Sequence, residues 1–296
     1  MSGPMSVFVE VEPTTSAADL IHVTWADEWR PLLARFGDAC VDMPPAEKVP
    51  HLQPGEEGYE EVAGGGDALT TWTLPASAWE GRDGLRADME ALADAFFEWE
   101  PPASAVILTG LLDELPDGGC ARLIGFLHDR VVELTGDLNA AIAAPVGMAG
   151  AADGGFAPHA DMWVPALLFN VFEAVEPGGH GATLLLPMDA VFEIAADAGV
   201  SAEQIERMHE AIAGAGQEDY YLQFNGALYE DEHPWKDEVE RRLIEASLVV
   251  PLGRGQGYLA NDREWLHGRT PLPRDFDREN RLFRLAYDNA RLRAAA

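Results

Sequence analysis

The chain has 296 residues, of which 47% are hydrophobic, and a formal net charge of −31 at pH 7. That apolar content excludes a disordered polymer. The acidity runs along the whole chain, which excludes the basic face that a nucleic-acid groove or an anionic membrane surface requires. Lys48 and Lys236 are the only lysines, which argues against P-loop or Schiff-base chemistry, since both need a placed lysine. Cys40 and Cys120 are the only cysteines. They are too few for a Cys-rich metal site or a disulfide framework, and two free thiols in a reducing cytoplasm are expected.

In chain order, Met1-Ser2-Gly3-Pro4-Met5 lacks a basic n-region and an apolar h-region, so no signal peptide is expected. No apolar run reaches the ~18 residues of a membrane-spanning helix. Val7-Phe8-Val9-Glu10-Val11 alternates and predicts a first strand. Trp25, Trp29, Leu32, Leu33 and Phe36 fall on one face of a helix expected over 16–36. Residues 56–67 are polar and Gly-rich and predict an exposed loop. Leu85, Met89, Leu92 and Phe96 predict a helix over 84–98, and Leu123, Phe126, Leu127, Val131 and Leu134 predict another over 119–143. Val106-Ile107-Leu108 predicts a short buried strand between them.

After Gly147 the texture changes. A small, Gly-rich segment over 148–155 is followed by short β-like runs at 164–175, 182–186, 246–252, 257–260 and 281–287, each bounded by Gly, Pro or charge. A helical insertion over 188–213 is signalled by the capping-box pattern Ser201-Ala202-Glu203-Gln204. Residues 218–236, acidic and aromatic, predict a lid-like loop. An α-rich half before a β-rich half gives an α+β class, with a sandwich or barrel carrying helices outside. The expected division is 1–147, an α-rich region packing on the core, and 148–296, the catalytic core with its insertion at about 188–240, all in one integrated domain.

His159 and Asp161 stand two residues apart in Phe156-Ala157-Pro158-His159-Ala160-Asp161-Met162-Trp163, before an apolar run. In an extended strand they share a face and can hold one metal ion together. His267, far downstream in Trp265-Leu266-His267-Gly268-Arg269, is a third donor of the right type. Two histidines and one carboxylate make the facial triad of non-haem Fe(II) oxygenases, which leaves coordination positions open. Arg281 and Arg284 lie in the strand after His267. A buried arginine there requires an anion, and a carboxylate suits its planar fork. The two are an odd number of residues apart, so only one of them faces the interior. Trp163 shares strand parity with His159 and Asp161 and is a candidate wall of the pocket. Gly253-Arg254-Gly255-Gln256-Gly257 lacks the spacing of a dinucleotide fingerprint and predicts a hairpin turn.

Taken together, His159-Ala160-Asp161-Met162, Gly178-Gly179-His180-Gly181-Ala182-Thr183-Leu184, His267-Gly268-Arg269-Thr270-Pro271 and Asn280-Arg281-Leu282-Phe283-Arg284 resemble the Fe(II)/2-oxoglutarate-dependent oxygenases, in the TauD/TfdA-like, clavaminate-synthase-like branch. The resemblance covers about 148–290. It implies a double-stranded β-helix (jelly-roll) core with flanking helices. It also implies iron bound by His159, Asp161 and His267, and the far carboxylate of 2-oxoglutarate held by Thr183 and Arg281, with Arg284 as the fallback. The Gly-Gly segment carries extra residues before Thr183, a departure from the family pattern.

The implied activity is hydroxylation of an unactivated C–H bond with Fe(II), 2-oxoglutarate and O2, and the presence of Asp161 favours it over halogenation. Desaturation or cyclisation draws on the same oxidant. The implied substrate is a small molecule, an amino acid or a derivative, with Trp163 and Arg269 as candidate contacts. The other readings are a hydroxylase of a protein or carrier-tethered substrate, a non-catalytic cupin-like metal-binding protein, and a zinc hydrolase using the same ligands.

Overall fold

The computed structural model describes residues 6–13, 20–50, 70–145, 155–161, 167–173, 181–213, 220–229, 233–271 and 282–295. Over these the chain is a mixed α and β fold. Strands β1 (Phe8–Glu10), β2 (Ile21–Trp25), β5 (Val106–Leu108), β6 (Ala141–Pro145), β8 (Leu167–Phe172), β11 (Gly257–Asn261) and β13 (Leu282–Tyr287) form a seven-stranded sheet in the order β1-β2-β5-β11-β8-β13-β6. A four-stranded sheet runs β10-β9-β12-β7, from Leu248–Val250, Thr183–Pro187, Trp265–Arg269 and Phe156–His159. A third, two-stranded pair joins β3 (Glu47–Pro50) to β4 (Thr70–Thr73). The large sheet therefore draws strands from both sides of residue 147.

Side-chain alternation along the central strands builds the layers. On β8, Phe169 and Val171 join a cluster with helices α1 (Arg30–Cys40), α2 (Asp83–Glu98) and α3 (Gly119–Thr135), while Phe172 faces the opposite way. β13 divides the same way: Phe283, Leu285 and Tyr287 point to the helices and Leu282 to the other face. A second cluster combines Ile107, Phe172, Tyr258, Ala260 and Leu282 of the large sheet with Leu185 and Val250 of the small one, so the inner faces of the two sheets pack on each other. A third lies among α4 (Met188–Asp197), α5 (Ala202–Ala213), α6 (Tyr220–Tyr229) and α7 (Lys236–Ala246), with Leu186 and Leu266 from the small sheet. α8 (Asn289–Ala295) follows β13.

Four elements depart from the sequence reading. The helix expected from residue 16 begins at Arg30, with Pro31 in its first turn. Ahead of it the β-branched run Ile21–Trp25 pairs with β1 and β5, burying Val23 and Trp25 on one face and His22 on the other. The helix expected over 119–143 stops at Thr135, where Gly136 takes φ +67 and closes it. Ala141–Pro145 instead pairs with β13, so register and burial override alanine's helix preference. The insertion's single helix is two, broken at Gly199 (φ +96) and restarted by Ser201, whose Oγ accepts the Gln204 N–H at 3.3 Å. Residues 220–229, expected as loop, form α6. The loop expected over 56–67 lies outside the described residues. Among the described residues no helix is long and apolar enough to cross a membrane.

Phe169, fully buried in the middle of the large sheet, meets Phe96 of α2 edge-on at 5.0 Å. Phe169→Ala is expected to lower stability by about 3–5 kcal/mol, the range for emptying a buried aromatic site. Urea titration of the two proteins reads the difference.

Candidate metal centre

The site is assembled by strand pairing. In the small sheet, β12 runs antiparallel to β7 with His267 directly opposite His159, their ring centroids 4.6 Å apart. Among the described residues β7 is the edge strand, and it carries one residue more than β12 between His159↔His267 and Phe156↔Arg269, so the register shifts there. Pro158 lies in this stretch, tolerated because an edge strand need not donate every N–H. Such a bulge re-aims the side chains beside it. Gly268 is required at this close approach, because a Cβ there would come within 2.5 Å of the Phe156 carbonyl oxygen.

Asp161 follows β7 and faces both rings. His159 Nε2 lies 3.0 Å from its Oδ1 and His267 Nε2 lies 3.2 Å from its Oδ2. One donor atom from each residue fits within 4.8 Å of the others. Donors bound at about 2.1 Å and at right angles around one ion would stand about 3 Å apart, so the spacing suits a shared cation. The protonation pattern agrees. His159 Nδ1 lies 2.9 Å from the Ala157 carbonyl oxygen and donates its hydrogen there, which leaves the Nε2 lone pair facing a carboxylate. Two acceptors aimed at each other are unfavourable unless a positive charge lies between them. Burial, reinforced by His267, pushes the His159 imidazole down to about 3, so the ring is neutral across the physiological range and able to ligate.

The large sheet supplies the opposite wall. A cross-strand row on its inner face reads Ile107, Tyr258, Asn170, Arg284 across β5, β11, β8 and β13. Arg284 Nη1 contacts Asp161 Oδ2 directly, Nη2 lies 3.2 Å from His267 Nε2, and Nε donates to Asn170 Oδ1 at 2.8 Å. Burial lowers the guanidinium to about 10, which still leaves it charged at neutral pH. A cation buried in a chain of net charge −31 thus sits against the acidic donor of the cluster.

Two further polar groups brace the ligand segment. Asn225 of α6 bonds both backbone groups of Ala160, between the two donors: its Nδ2 donates to the carbonyl at 2.6 Å, and its Oδ1 accepts the N–H at 3.3 Å. Tyr229 OH donates to the Pro158 carbonyl. Asp262, fully buried in the turn between β11 and β12, accepts the Asp161 N–H on Oδ2 at 2.9 Å and brings Oδ1 to 3.4 Å from His267 Nδ1.

The structure therefore brings together His159, Asp161 and His267. Thr183 is buried on β9 and pairs with Arg269, so both share the His267 face of the sheet. Arg281 and Trp163 lie outside the described residues. Of the two arginines weighed from the sequence, Arg284 is the one seen at the cluster. Asn170, Asn225 and Asp262 were missed. Asn170 is hidden in an apolar run, Asn225 in a segment expected as loop, and Asp262 in a turn sequence where Asp is ordinary. Only the parity of Asn170 with Arg284 on a paired strand could have been a signal, and pairing is not visible in one sequence.

No protein-family model matches the chain. Among curated proteins it is similar to Malate dehydrogenase 2 of Anaeromyxobacter dehalogenans (strain 2CP-C), 25% identical over 189 residues, which are 59% of this chain and 55% of that protein. The chain thus spans about half the length of the curated relative it matches. Among solved structures it is similar to an asparagine oxygenase (AsnO), 12% identical, covering 90% of this chain and 92% of that one at a TM-score of 0.44. It is also similar to the non-heme iron oxygenase OrfP in complex with Fe and alpha-ketoglutaric acid, 9% identical, covering 90% and 93% at 0.39. A taurine dioxygenase from Burkholderia xenovorans is 11% identical, covering 68% and 80% at 0.34.

His159 provides a pH test. Its ordinary value is 6.5 and its folded value about 3. Between these the unfolded chain binds a proton on this ring that the folded chain does not, so stability falls as pH drops through the window and is unaffected by this ring above it. The urea midpoint of metal-free protein should decline from pH 6.5 downward, and less steeply in His159→Gln, which cannot titrate. Equal slopes in the two proteins would contradict the assignment.

Proposed function

We propose that the chain is an Fe(II)- and 2-oxoglutarate-dependent oxygenase that hydroxylates an unactivated C–H bond of a small molecule, an amino acid or a derivative. The observation that carries this reading is the convergence of His159, Asp161 and His267 on one point with the buried guanidinium of Arg284 beside them. Two imidazoles and one carboxylate favour Fe(II) and leave positions open for a chelating cosubstrate and oxygen. The double-stranded β-helix is the matching architecture, and two packed, mainly antiparallel sheets with the donors between them support it. The large sheet draws on both sides of residue 147, which supports one integrated catalytic unit.

In this reading His159, Asp161 and His267 hold the iron, and Arg284 takes the place that the sequence resemblance gave to Arg281. Asn170 fixes Nε of Arg284; the two terminal nitrogens, which face Asp161 and His267, would turn from the ligands to the far carboxylate of 2-oxoglutarate once the iron neutralises Asp161. Thr183 shares the face of His267 and serves as the second contact to that carboxylate. Bound iron supplies the oxidising chemistry that couples decarboxylation of 2-oxoglutarate to succinate with hydroxylation of the substrate. The buried walls, Tyr258 and Leu185 among them, keep bulk water from the cluster. Arg269, on the same sheet face, is a candidate substrate contact.

A doubly wound dinucleotide fold does not describe the chain. Such a sheet is parallel, whereas among the described residues only β2 and β5 pair in parallel. Gly253–Gly257 is a turn leading into β11, not a strand-to-helix loop.

With Fe(II), 2-oxoglutarate and oxygen, succinate release should appear with some member of an amino-acid panel and vanish in His159→Ala and Asp161→Ala. Arg284→Ala should raise the KM for 2-oxoglutarate about 10- to 100-fold, from the ~1.5–3 kcal/mol of a hydrogen bond to a charged group, while Arg281→Ala changes it little. The reverse ranking would return the role to Arg281.

A further inference from the structure

Asp262 lies in Asn261-Asp262-Arg263, where an aspartate normally turns its carboxylate to water. Here Asn261 satisfies the turn: its side-chain Oδ1 accepts the Arg263 N–H at 3.1 Å and its carbonyl accepts the Glu264 N–H at 2.9 Å. Asp262 is thereby released from turn-making, and its side chain is fully buried. Burying a carboxylate is unfavourable unless it is well bonded. Its two oxygens go to two different donors of the candidate metal centre: the Asp161 backbone N–H at 2.9 Å and the His267 ring at 3.4 Å.

We propose that Asp262 is a positioning residue that sets the tautomer of His267 and the placement of Asp161 together, so that metal affinity depends on a group that never touches the metal; this rests on the metal-centre reading above. A carboxylate only accepts, so facing it the imidazole carries its hydrogen on Nδ1 and presents the Nε2 lone pair to the cluster. On the other side of the ring, Nε2 lies 3.2 Å from Arg284 Nη2, which can only donate, and 3.2 Å from Asp161 Oδ2, which can only accept. That acceptor already meets a charged donor, Arg284 Nη1, so the choice of which ring nitrogen carries the hydrogen falls to Asp262. Nδ1 is buried, with no partner inside normal hydrogen-bond limits. A modest approach of the ring to Asp262 would complete that bond. A carboxylate behind a ligating histidine also raises the basicity of the donor atom. The same side chain accounts for the N–H of Asp161, which lies beyond the end of β7.

The test reads nitrogen chemical shifts of the imidazoles in metal-free protein alongside Co(II) affinity by calorimetry. In the wild type His267 should be the Nδ1–H tautomer. In Asp262→Asn the amide oxygen can still accept the Asp161 N–H. Its NH2 then faces Nδ1, the ring should shift to the Nε2–H form, and Co(II) affinity should fall about 10- to 100-fold. An unchanged tautomer with unchanged Co(II) affinity in Asp262→Asn overturns the proposal. So does an Nε2–H tautomer in the wild type, a result that stands even if the variant fails to fold. If the wild type binds Co(II) in this Asp262-dependent way yet never turns over 2-oxoglutarate, the positioning role holds and the oxygenase reading fails.

Discussion

The direct opposition of His159 and His267 across β7 and β12 is the constraint on which the site depends. Strand side chains alternate, so a slip of one residue in that pairing would send one imidazole to the helix layer and leave the other alone. Three features hold the register. Gly268 lets β7 approach where any side chain would strike the Phe156 carbonyl. On the other side, β9 pairs with all five residues of β12, from Trp265 to Arg269. The extra residue at Ala157-Pro158 then absorbs the mismatch on the edge, so that it does not propagate inward.

Charge is arranged around the same point. The chain is strongly acidic, yet the acidic group at the cluster, Asp161, is met by the buried Arg284. The guanidinium comes from the opposite sheet, so the two sheets are joined by an ion pair as well as by the apolar cluster of Ile107, Phe172, Leu185 and Leu282. Breaking one partner of such a pair leaves an uncompensated buried charge, which is more damaging than the pair is stabilising. The site and the stacking of the two layers therefore share one contact.

Much of this was legible in the residues. The spacing of His159 and Asp161 marked them as a pair, although Asp161 lies just beyond the end of β7 and not on its face, and parity required that one of Arg281 and Arg284 face inward. Helices α2 and α3 were visible in their apolar stripes, and β5 in three consecutive apolar residues. What was hidden depends on distant pairing. Ile21–Trp25 merged with the helix after it because aromatic spacing around Trp25 and Trp29 fits a helical face until β1 and β5 are present to pair with. Ala141–Pro145 has helix-favouring composition and becomes a strand only because β13 lies beside it. Asn170 and Asp262 sit in stretches whose local chemistry, an apolar strand and a turn, has a sufficient explanation without them.

The strand that bears His159 is also the margin of its sheet, and margins are where one molecule can add its backbone to another. β7 is short, contains a proline with no N–H to offer, and has the Pro158 carbonyl already taken by Tyr229 and both polar groups of Ala160 taken by Asn225. The helical insertion thus does for this border what a further strand would do, without closing the sheet. The Pro158 carbonyl and both backbone groups of Ala160 are thus engaged within the chain, and a second molecule could not use them for pairing.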